Sequence, residues 1–238
     1  MTTPTAQRVA VVTGANRGLG HAIATGLARR GLHVVLTARR LPDAEAAAGP
    51  LRGEGLLVEA GELDVTDPIS VFRLFADVGR DLGRLDVLVN NAGVAIDRNR
   101  RPSAHDVGKI RSTLDANLVG PWQCCMEAVP LMREGGYGRI TNVSSRMGSL
   151  ALMESAGSPA YRVSKAALNA LTRVFAAETA DENILVNAVS PGTVTTRLSY
   201  GSAKQTPEQA AEDLLWLSEL PDDGPTGEFF QGREHLPW

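Results

Sequence analysis

Short runs of β-branched and other apolar residues alternate along this chain with longer stretches whose apolar positions recur every three or four residues. The runs RVAVVT, LHVVLT, LLVEAGELDV, LDVLVNNAG, GRITNVSS, ILVNAVSPG and EFFQG predict seven strands. Helical spacing occupies 18–30, 68–82, 106–134, 160–180 and 207–219. The strand runs lack a clean in-and-out alternation, so both faces of the sheet are expected to be covered, as in a parallel sheet. Strand-helix repetition of this kind predicts an α/β fold: a doubly wound, parallel, seven-stranded sheet with helices on both faces, a three-layer αβα sandwich with right-handed crossovers. Gly- and Pro-containing pieces at 41–55, 94–105, 146–159 and 192–206 read as loops. Several fall at the carboxyl ends of strands, where open parallel sheets bind ligands. With no internal repeat and no long linker, residues 1–238 are expected to form one domain.

Composition narrows the class of function. The 238 residues are 43% hydrophobic and 21% charged with a net charge of −3, which predicts a globular protein without a basic face for nucleic acid. Arginines cluster only briefly, at 29–30, 39–40 and 98–101. No run approaches the ~18 apolar residues of a membrane span, and MTTPTAQRVAVVTG lacks the pattern of a secretory leader. A cytoplasmic location away from membranes is the expectation. Cys124 and Cys125 are adjacent, so a bridge between them would be strained and both are expected to be reduced. Histidines at 21, 33, 105 and 235 are dispersed, and no spacing points to a metal site.

Directly after the first strand comes TGANRGLG, residues 13–20, leading into a helix. Glycines at this place let the backbone turn and approach a pyrophosphate, whose charge meets free N–H groups at the helix N-terminus. The spacing Gly14-x-x-x-Gly18-x-Gly20 differs from G-x-G-x-x-G, but the strand-turn-helix setting is that of a Rossmann-type dinucleotide site. A purely structural turn is the alternative. The second strand ends LTARR, with Ala38 where an NAD-preferring site places an acid. Arg39 and Arg17 instead offer guanidinium groups suited to a 2′-phosphate, so NADP(H) is expected over NAD(H). Solvated surface charge is the other reading of both arginines.

In SPAYRVSKAALNA, Tyr161 stands four positions before Lys165, so both side chains share one helix face. A phenol is a poor base at neutral pH unless a nearby positive charge favours the phenolate, and Lys165 is placed to supply it. Taken alone, the pair is equally a surface contact or a core tyrosine with a satisfied hydroxyl.

The ordered set TGANRGLG, LDV at 63–65, NNAG at 90–93, DANLVGP, NVSS, YRVSK and SPGTVTT resembles the short-chain dehydrogenase/reductase family, in its short single-domain branch, over nearly the whole chain. The resemblance implies a cofactor site formed by Gly14, Asn16, Arg17, Gly18, Leu19, Gly20 and Arg39, with Asp64 and Val65 at the adenine. It implies that Asn90, Asn91, Ala92 and Gly93 stabilise the central strand and line the cofactor. Pro191, Gly192, Val194 and Thr196 then bind the nicotinamide carboxamide. The implied catalytic set is Asn117, Ser145, Tyr161 and Lys165. Ser145 holds the substrate oxygen, Tyr161 exchanges its proton, Lys165 lowers the tyrosine pKa and bonds the nicotinamide ribose, and Asn117 supports a water behind the lysine. The resemblance favours Ser145 over Ser144.

Two departures colour this picture. The sixteen residues from Ser145 to Tyr161 exceed the spacing of many short members, placing extra residues of RMGSLALMESAGSP beside the substrate. The C-terminal LPDDGPTGEFFQGREHLPW lacks the Asp-Gly-Gly pattern of tetrameric members and is closer to carbonyl-reductase relatives. The expected activity is NADPH-dependent reduction of a ketone or aldehyde. A ketoreductase dedicated to a steroid or acyl-carrier substrate, and a non-catalytic NADP(H)-sensing protein, are the alternatives. Residues 193–220, with Leu198, Tyr200, Leu214 and Trp216, read as a substrate lid. A monomer, dimer or tetramer all remain open.

Overall fold

The computed structural model describes residues 7–104, 106–192, 194 and 205–238. Strand β1 (Val9–Val12) is followed by α1 (Gly18–Arg29), β2 (His33–Ala38), α2 (Leu41–Gly53), β3 (Val58–Glu62), α3 (Pro68–Leu82) and β4 (Val87–Asn90). The second half runs α4 (Val107–Leu114), a π-helical turn (Asp115–Val119), α5 (Gly120–Gly135), β5 (Gly138–Val143) and α6 (Pro159–Glu178). It closes with β6 (Ile184–Ser190), α7 (Pro207–Leu215), β7 (Phe229–Gln231) and β8 (Glu234–His235).

One sheet joins the strands in the order β3-β2-β1-β4-β5-β6-β7-β8. All pairings are parallel except the last, where β8 folds back on β7. The expected doubly wound α/β architecture is present, with eight strands instead of seven. The added strand is only two residues long, below the length at which alternation leaves a signal in sequence. Because β1 pairs with both β2 and β4, the order reverses between β1 and β4. Such a reversal, outside the carboxyl ends of the strands, is the place where such sheets take ligands.

Alternate residues of each strand feed opposite sides. Ala10 and Val12 join a core with Ile23 and Leu27 of α1, Ala48 of α2 and Leu214 of α7. Val9 and Val11 join a second core with Phe75 of α3, Val129 of α5 and Phe175 of α6. Two buried faces explain why the strands read as continuous apolar runs. The free, buried Cys124 and Cys125 belong to the second core, and loss of hydration pushes the Cys125 thiol up to about 12.

Two regions differ from the sequence expectation. The stretch 41–55, read as a loop, holds helix α2. Its Gly49-Pro50 pair imitates loop punctuation, yet Ala44, Ala48 and Leu51 form a buried helical stripe. The helix expected over 106–134 is broken by the π turn at 115–119. Pro121 has no N–H for the carbonyl four residues back, that of Asn117, and this loss favours the wider π spacing.

Of the 193–220 segment, the part from Pro207 onward packs on the body of the protein. Leu214 and Leu215 are buried against α1, and Trp216 donates to the carbonyls of Asp213 (2.9 Å) and Gly232 (3.1 Å) while meeting the Phe230 ring edge-on. Leu198 and Tyr200 lie outside the described residues. No helix among the described residues is long and apolar enough to cross a membrane.

Candidate active site

The loop after β1 is tied to the loop after β4 across the switch point. Thr13 Oγ1 accepts hydrogen bonds from the Asn91 (3.0 Å) and Ala92 (2.9 Å) amides, and Asn91 Nδ2 donates to the carbonyls of Thr13 (2.9 Å) and Gly14 (3.1 Å). Gly14 has a φ of +62°, and a Cβ there would stand 3.0 Å from the Ala92 Cα. A Cβ on Gly20 would collide with Asn91 Nδ2 and lie 2.6 Å from the Gly14 carbonyl oxygen. These glycines therefore allow α1 to start almost against the loop. Arg17 precedes α1 in an extended conformation with no side-chain cap, and the first turn carries no acid. The amides of Gly18, Leu19 and Gly20 stand in the first turn, beyond the reach of helical carbonyls, a setting that suits an anion. Leu19 contributes through its backbone, because its side chain is buried in the core; Asn16 is partly exposed in the loop.

At the end of β2, Ala38 is buried while Arg39 and Arg40 are exposed. Arg40 is spent on Asp43, through Nε (2.8 Å) and Nη2 (2.7 Å). That bond, with smaller contributions from the charges of Arg17 and Arg39, holds the Asp43 carboxyl below the usual carboxylate range. Arg17 and Arg39 thus converge on one region although 22 residues separate them. Neighbouring Asp64 accepts from the Thr66 amide (3.0 Å) and hydroxyl (2.7 Å), and Val65 is buried beside it. A cavity of about 490 Å³ between β3 and α3 includes Arg39 and Asp64 in its walls, but none of Ser145, Tyr161 and Lys165.

Ser144 and Ser145 follow β5. Ser144 is buried with its hydroxyl given to Asn169 Oδ1 (2.6 Å), whereas Ser145 is partly exposed and its Oγ accepts from the Met147 amide (3.2 Å). Tyr161 and Lys165 project from the first turns of α6. Burial raises the Tyr161 pKa, and a hydrogen bond with Ser145 opposes that rise. Lys165 Nζ donates to the Val143 carbonyl (2.7 Å) and stands 5.9 Å from the centre of the Tyr161 ring. Loss of hydration lowers the Lys165 pKa to about 8.

Gly93 forms the opposite wall, where a Cβ would lie 3.1 Å from Asn117 Oδ1 and 3.7 Å from Lys165 Nζ. The Asn117 side chain accepts from the Val94 amide (2.8 Å) and donates to the Val94 carbonyl (2.8 Å) and Ser164 Oγ (3.0 Å). Both of its amide hydrogens are committed to protein. Asn90 is buried one strand-width from Asn142, to which it donates (2.9 Å), knitting β4 to β5. Beyond β6, Ser190 Oγ accepts from the Arg146 amide (3.1 Å), which brings Pro191 and Gly192 alongside the serine loop. Val194 is buried and bridges to Gln205; Thr196 lies outside the described residues.

The structure also brings in two residues outside the set of site residues expected from the sequence. Thr13 links the two loops, and its only signal is its place between a strand and a glycine. Asp97 is fully buried and accepts from the amides of Ala160 (2.6 Å) and Tyr161 (3.2 Å), partners too distant in sequence for spacing to expose.

Known proteins resemble this chain in sequence and overall fold. Residues 8–207 match the short chain dehydrogenase family. The chain is 32% identical over 276 aligned positions to carbonyl reductase (NADPH) 1 of Sus scrofa, covering 97% of this chain and 94% of the relative. It is 32% identical over 302 positions to salutaridine reductase of Papaver somniferum, covering 98% and 96% respectively. The solved structure of that salutaridine reductase superposes with a TM-score of 0.83 at 30% identity, over 94% of this chain and 99% of the other. The structure of gox2181 gives a TM-score of 0.87 at 28% identity, over 95% and 94%. With the family match extending from β1 to the start of α7, the chain belongs to the short chain dehydrogenase family of oxidoreductases, whose members bind a nicotinamide cofactor.

Proposed function

We propose that this protein is an NADPH-dependent reductase of ketones or aldehydes. The observation that carries the reading is the partly exposed Ser145 hydroxyl beside the Tyr161 phenol, with the Lys165 amine one helical turn behind and the bare Gly93 wall opposite. The relatives named carbonyl reductase (NADPH) and salutaridine reductase are reductases by name, which supports the same direction.

The chain fits a dinucleotide. Gly14, Gly18 and Gly20 leave the close approach that a pyrophosphate needs, and the uncapped N-terminus of α1, with the Asn16 loop and the Leu19 amide, offers donors to it. Arg17 and Arg39 hold the 2′-phosphate, Asp64 and Val65 meet the adenine, and Asn91, Ala92 and Gly93 line the ring side. Pro191, Gly192 and Val194 hold the carboxamide. When bound, NADPH supplies the hydride that adds to the carbonyl carbon.

Ser145 orients the carbonyl oxygen, and Tyr161 gives it a proton. A raised phenol pKa suits this direction, since it keeps Tyr161 protonated at neutral pH. The Lys165 ammonium stabilises the phenolate left behind and bonds the ribose. Asn117 holds Val94 and Ser164 in place through its side chain, so a water that it supports is held by its main chain. Reduced, buried Cys124 and Cys125 accord with a cytoplasmic location. Val119, Trp122 and Met126 form an exposed apolar stripe at helical spacing, which suits association with a second copy.

Absorbance at 340 nm with a panel of ketones, aldehydes and quinones tests the reading. Substrate-dependent oxidation of NADPH, faster than that of NADH, is the expected result. Replacing Arg17 and Arg39 together by Ala weakens NADPH binding by about 10- to 30-fold and leaves NADH nearly unchanged, because only the 2′-phosphate loses its partners. Tight NADPH binding without turnover across the panel would instead leave the cofactor-sensing alternative.

A pH profile follows from Lys165. Its amine titrates near 8 in the fold against 10.5 when unperturbed. Between these values the unfolded chain binds more protons, so this group's contribution to stability rises with pH across that window. Activity moves the other way, because the ammonium beside Tyr161 is lost. The reduction rate is expected to fall above pH ~8 by about tenfold per unit; kcat/KM for NADPH, which reports the free enzyme, measured from pH 6 to 10 checks this, and a flat profile would contradict it.

A further inference from the structure

We infer that Asp97 is a positioning residue for the proton donor, acting as an N-cap that the loop after β4 lends to helix α6; this rests on the reductase reading above. Helix α6 lacks a cap of its own. Ser158, the residue before it, has a left-handed backbone (φ +56°, ψ +54°) and makes no side-chain cap bond. Pro159 has no N–H, so Ala160 and Tyr161 are the second and third helical residues, whose amides a cap side chain ordinarily satisfies. Asp97 Oδ2 receives both, at 2.6 and 3.2 Å, from 63 and 64 residues upstream. Its side chain is fully buried.

The same loop holds the other end of the Tyr161 peptide. Ser164 Oγ donates to the Tyr161 carbonyl (2.8 Å) and accepts from Asn117 Nδ2 (3.0 Å), and Asn117 clasps both backbone groups of Val94. Tyr161 is therefore fixed at its N–H by Asp97 and at its C=O through Ser164 and Asn117 to Val94, three residues before Asp97. Gly93, the wall on the cofactor side, adjoins that segment. A shift of the 93–97 loop moves cofactor wall and proton donor together, so the hydride and proton paths keep a fixed separation.

The test compares kcat, KM and NADPH binding in wild type, Asp97→Ala and Asp97→Asn. Asp97→Ala is expected to lower kcat by about 10- to 100-fold, since small misplacements of a reacting group cost that much, with NADPH affinity within about threefold. Asp97→Asn keeps an acceptor of the same shape and should hold kcat within about threefold of wild type. An unchanged kcat in Asp97→Ala overturns the inference, as does a folded Asp97→Asn variant that is as slow as the alanine variant. Should the alanine variant fail to fold, Asp97→Asn decides alone by the same threshold. If the wild type turns over no carbonyl, the reductase reading fails, and amide exchange then judges the cap separately. Faster exchange at Ala160 and Tyr161 in the variant that loses the acceptor supports it; unchanged protection overturns it.

Discussion

Replacing Tyr161 by Phe lowers kcat for carbonyl reduction by about 10³- to 10⁴-fold, the range that loss of a general acid commands. The phenyl ring keeps the packing of the tyrosine, so the fold and NADPH affinity stay close to wild type. What is lost is the phenol hydroxyl, on a ring whose centre lies 5.9 Å from Lys165 Nζ. Ser145 remains and still orients the substrate oxygen, which is why a residue of activity survives. Its own hydroxyl is a weak substitute, since an aliphatic alcohol is a far weaker acid than a phenol. The measurement is a steady-state rate with NADPH and the best carbonyl of the panel, paired with NADPH binding by fluorescence. Retention of more than about a tenth of wild-type kcat would remove Tyr161 from the proton path.

Gly20→Ala is expected to weaken NADPH binding by about 100-fold and to destabilise the fold by about 1–3 kcal/mol. The added Cβ would strike Asn91 Nδ2, lie 2.6 Å from the Gly14 carbonyl oxygen and 3.0 Å from the Ala15 Cα. Asn91 cannot simply swing aside, because its amide donates to Thr13 and Gly14 and so joins the two loops of the switch point. Either that junction breaks or α1 retreats, and each outcome displaces the amides that receive the pyrophosphate. Gly53→Ala is the matched control: a Cβ there meets nothing within 4 Å, and the position lies in helix α2, so the change is neutral or mildly stabilising. Thermal unfolding and NADPH titration of the two variants check the contrast. Wild-type affinity in Gly20→Ala would show that the loop does not cradle the cofactor.

What the sequence discloses is the chemistry carried by neighbours in the chain. TGANRGLG, NNAG and the Tyr161-Lys165 pair are local, and their strand-turn-helix setting follows from hydrophobic periodicity. Which of the two serines is free is not written in the motif: in the fold Ser144 is buried and bonded to Asn169, while Ser145 is partly exposed. The convergence of Arg17 and Arg39 needed the βα crossover to be in place before it meant anything. Helix α2 hides behind Gly49-Pro50, since local punctuation outweighs a weak alanine stripe on the page but not in the folded chain. The break at Asn117 has a trace in Pro121, yet a proline in the first turn of a helix is usual and does not by itself announce a π turn. Least legible is the bond of Asp97 to the amides of Ala160 and Tyr161, because no pattern of spacing encodes a contact between a loop and a helix start that distant.

The stretch between Ser145 and Tyr161 leans on residues far down the chain. Ser149 Oγ donates to the Pro237 carbonyl (2.7 Å), the Ala151 amide donates to the Trp238 carbonyl (2.9 Å), and the Trp238 ring stacks on Phe229 at 5.5 Å. None of these groups takes part in hydride or proton transfer. They tie the turn at 149–151 to the last two residues by backbone carbonyls, so the path of the connection between Ser145 and Tyr161 depends on the placement of 237–238. A substitution at the far end of the chain can therefore reshape the 145–161 connection at a distance, because both hydrogen bonds fall on main-chain oxygens whose position follows that of the Trp238 ring.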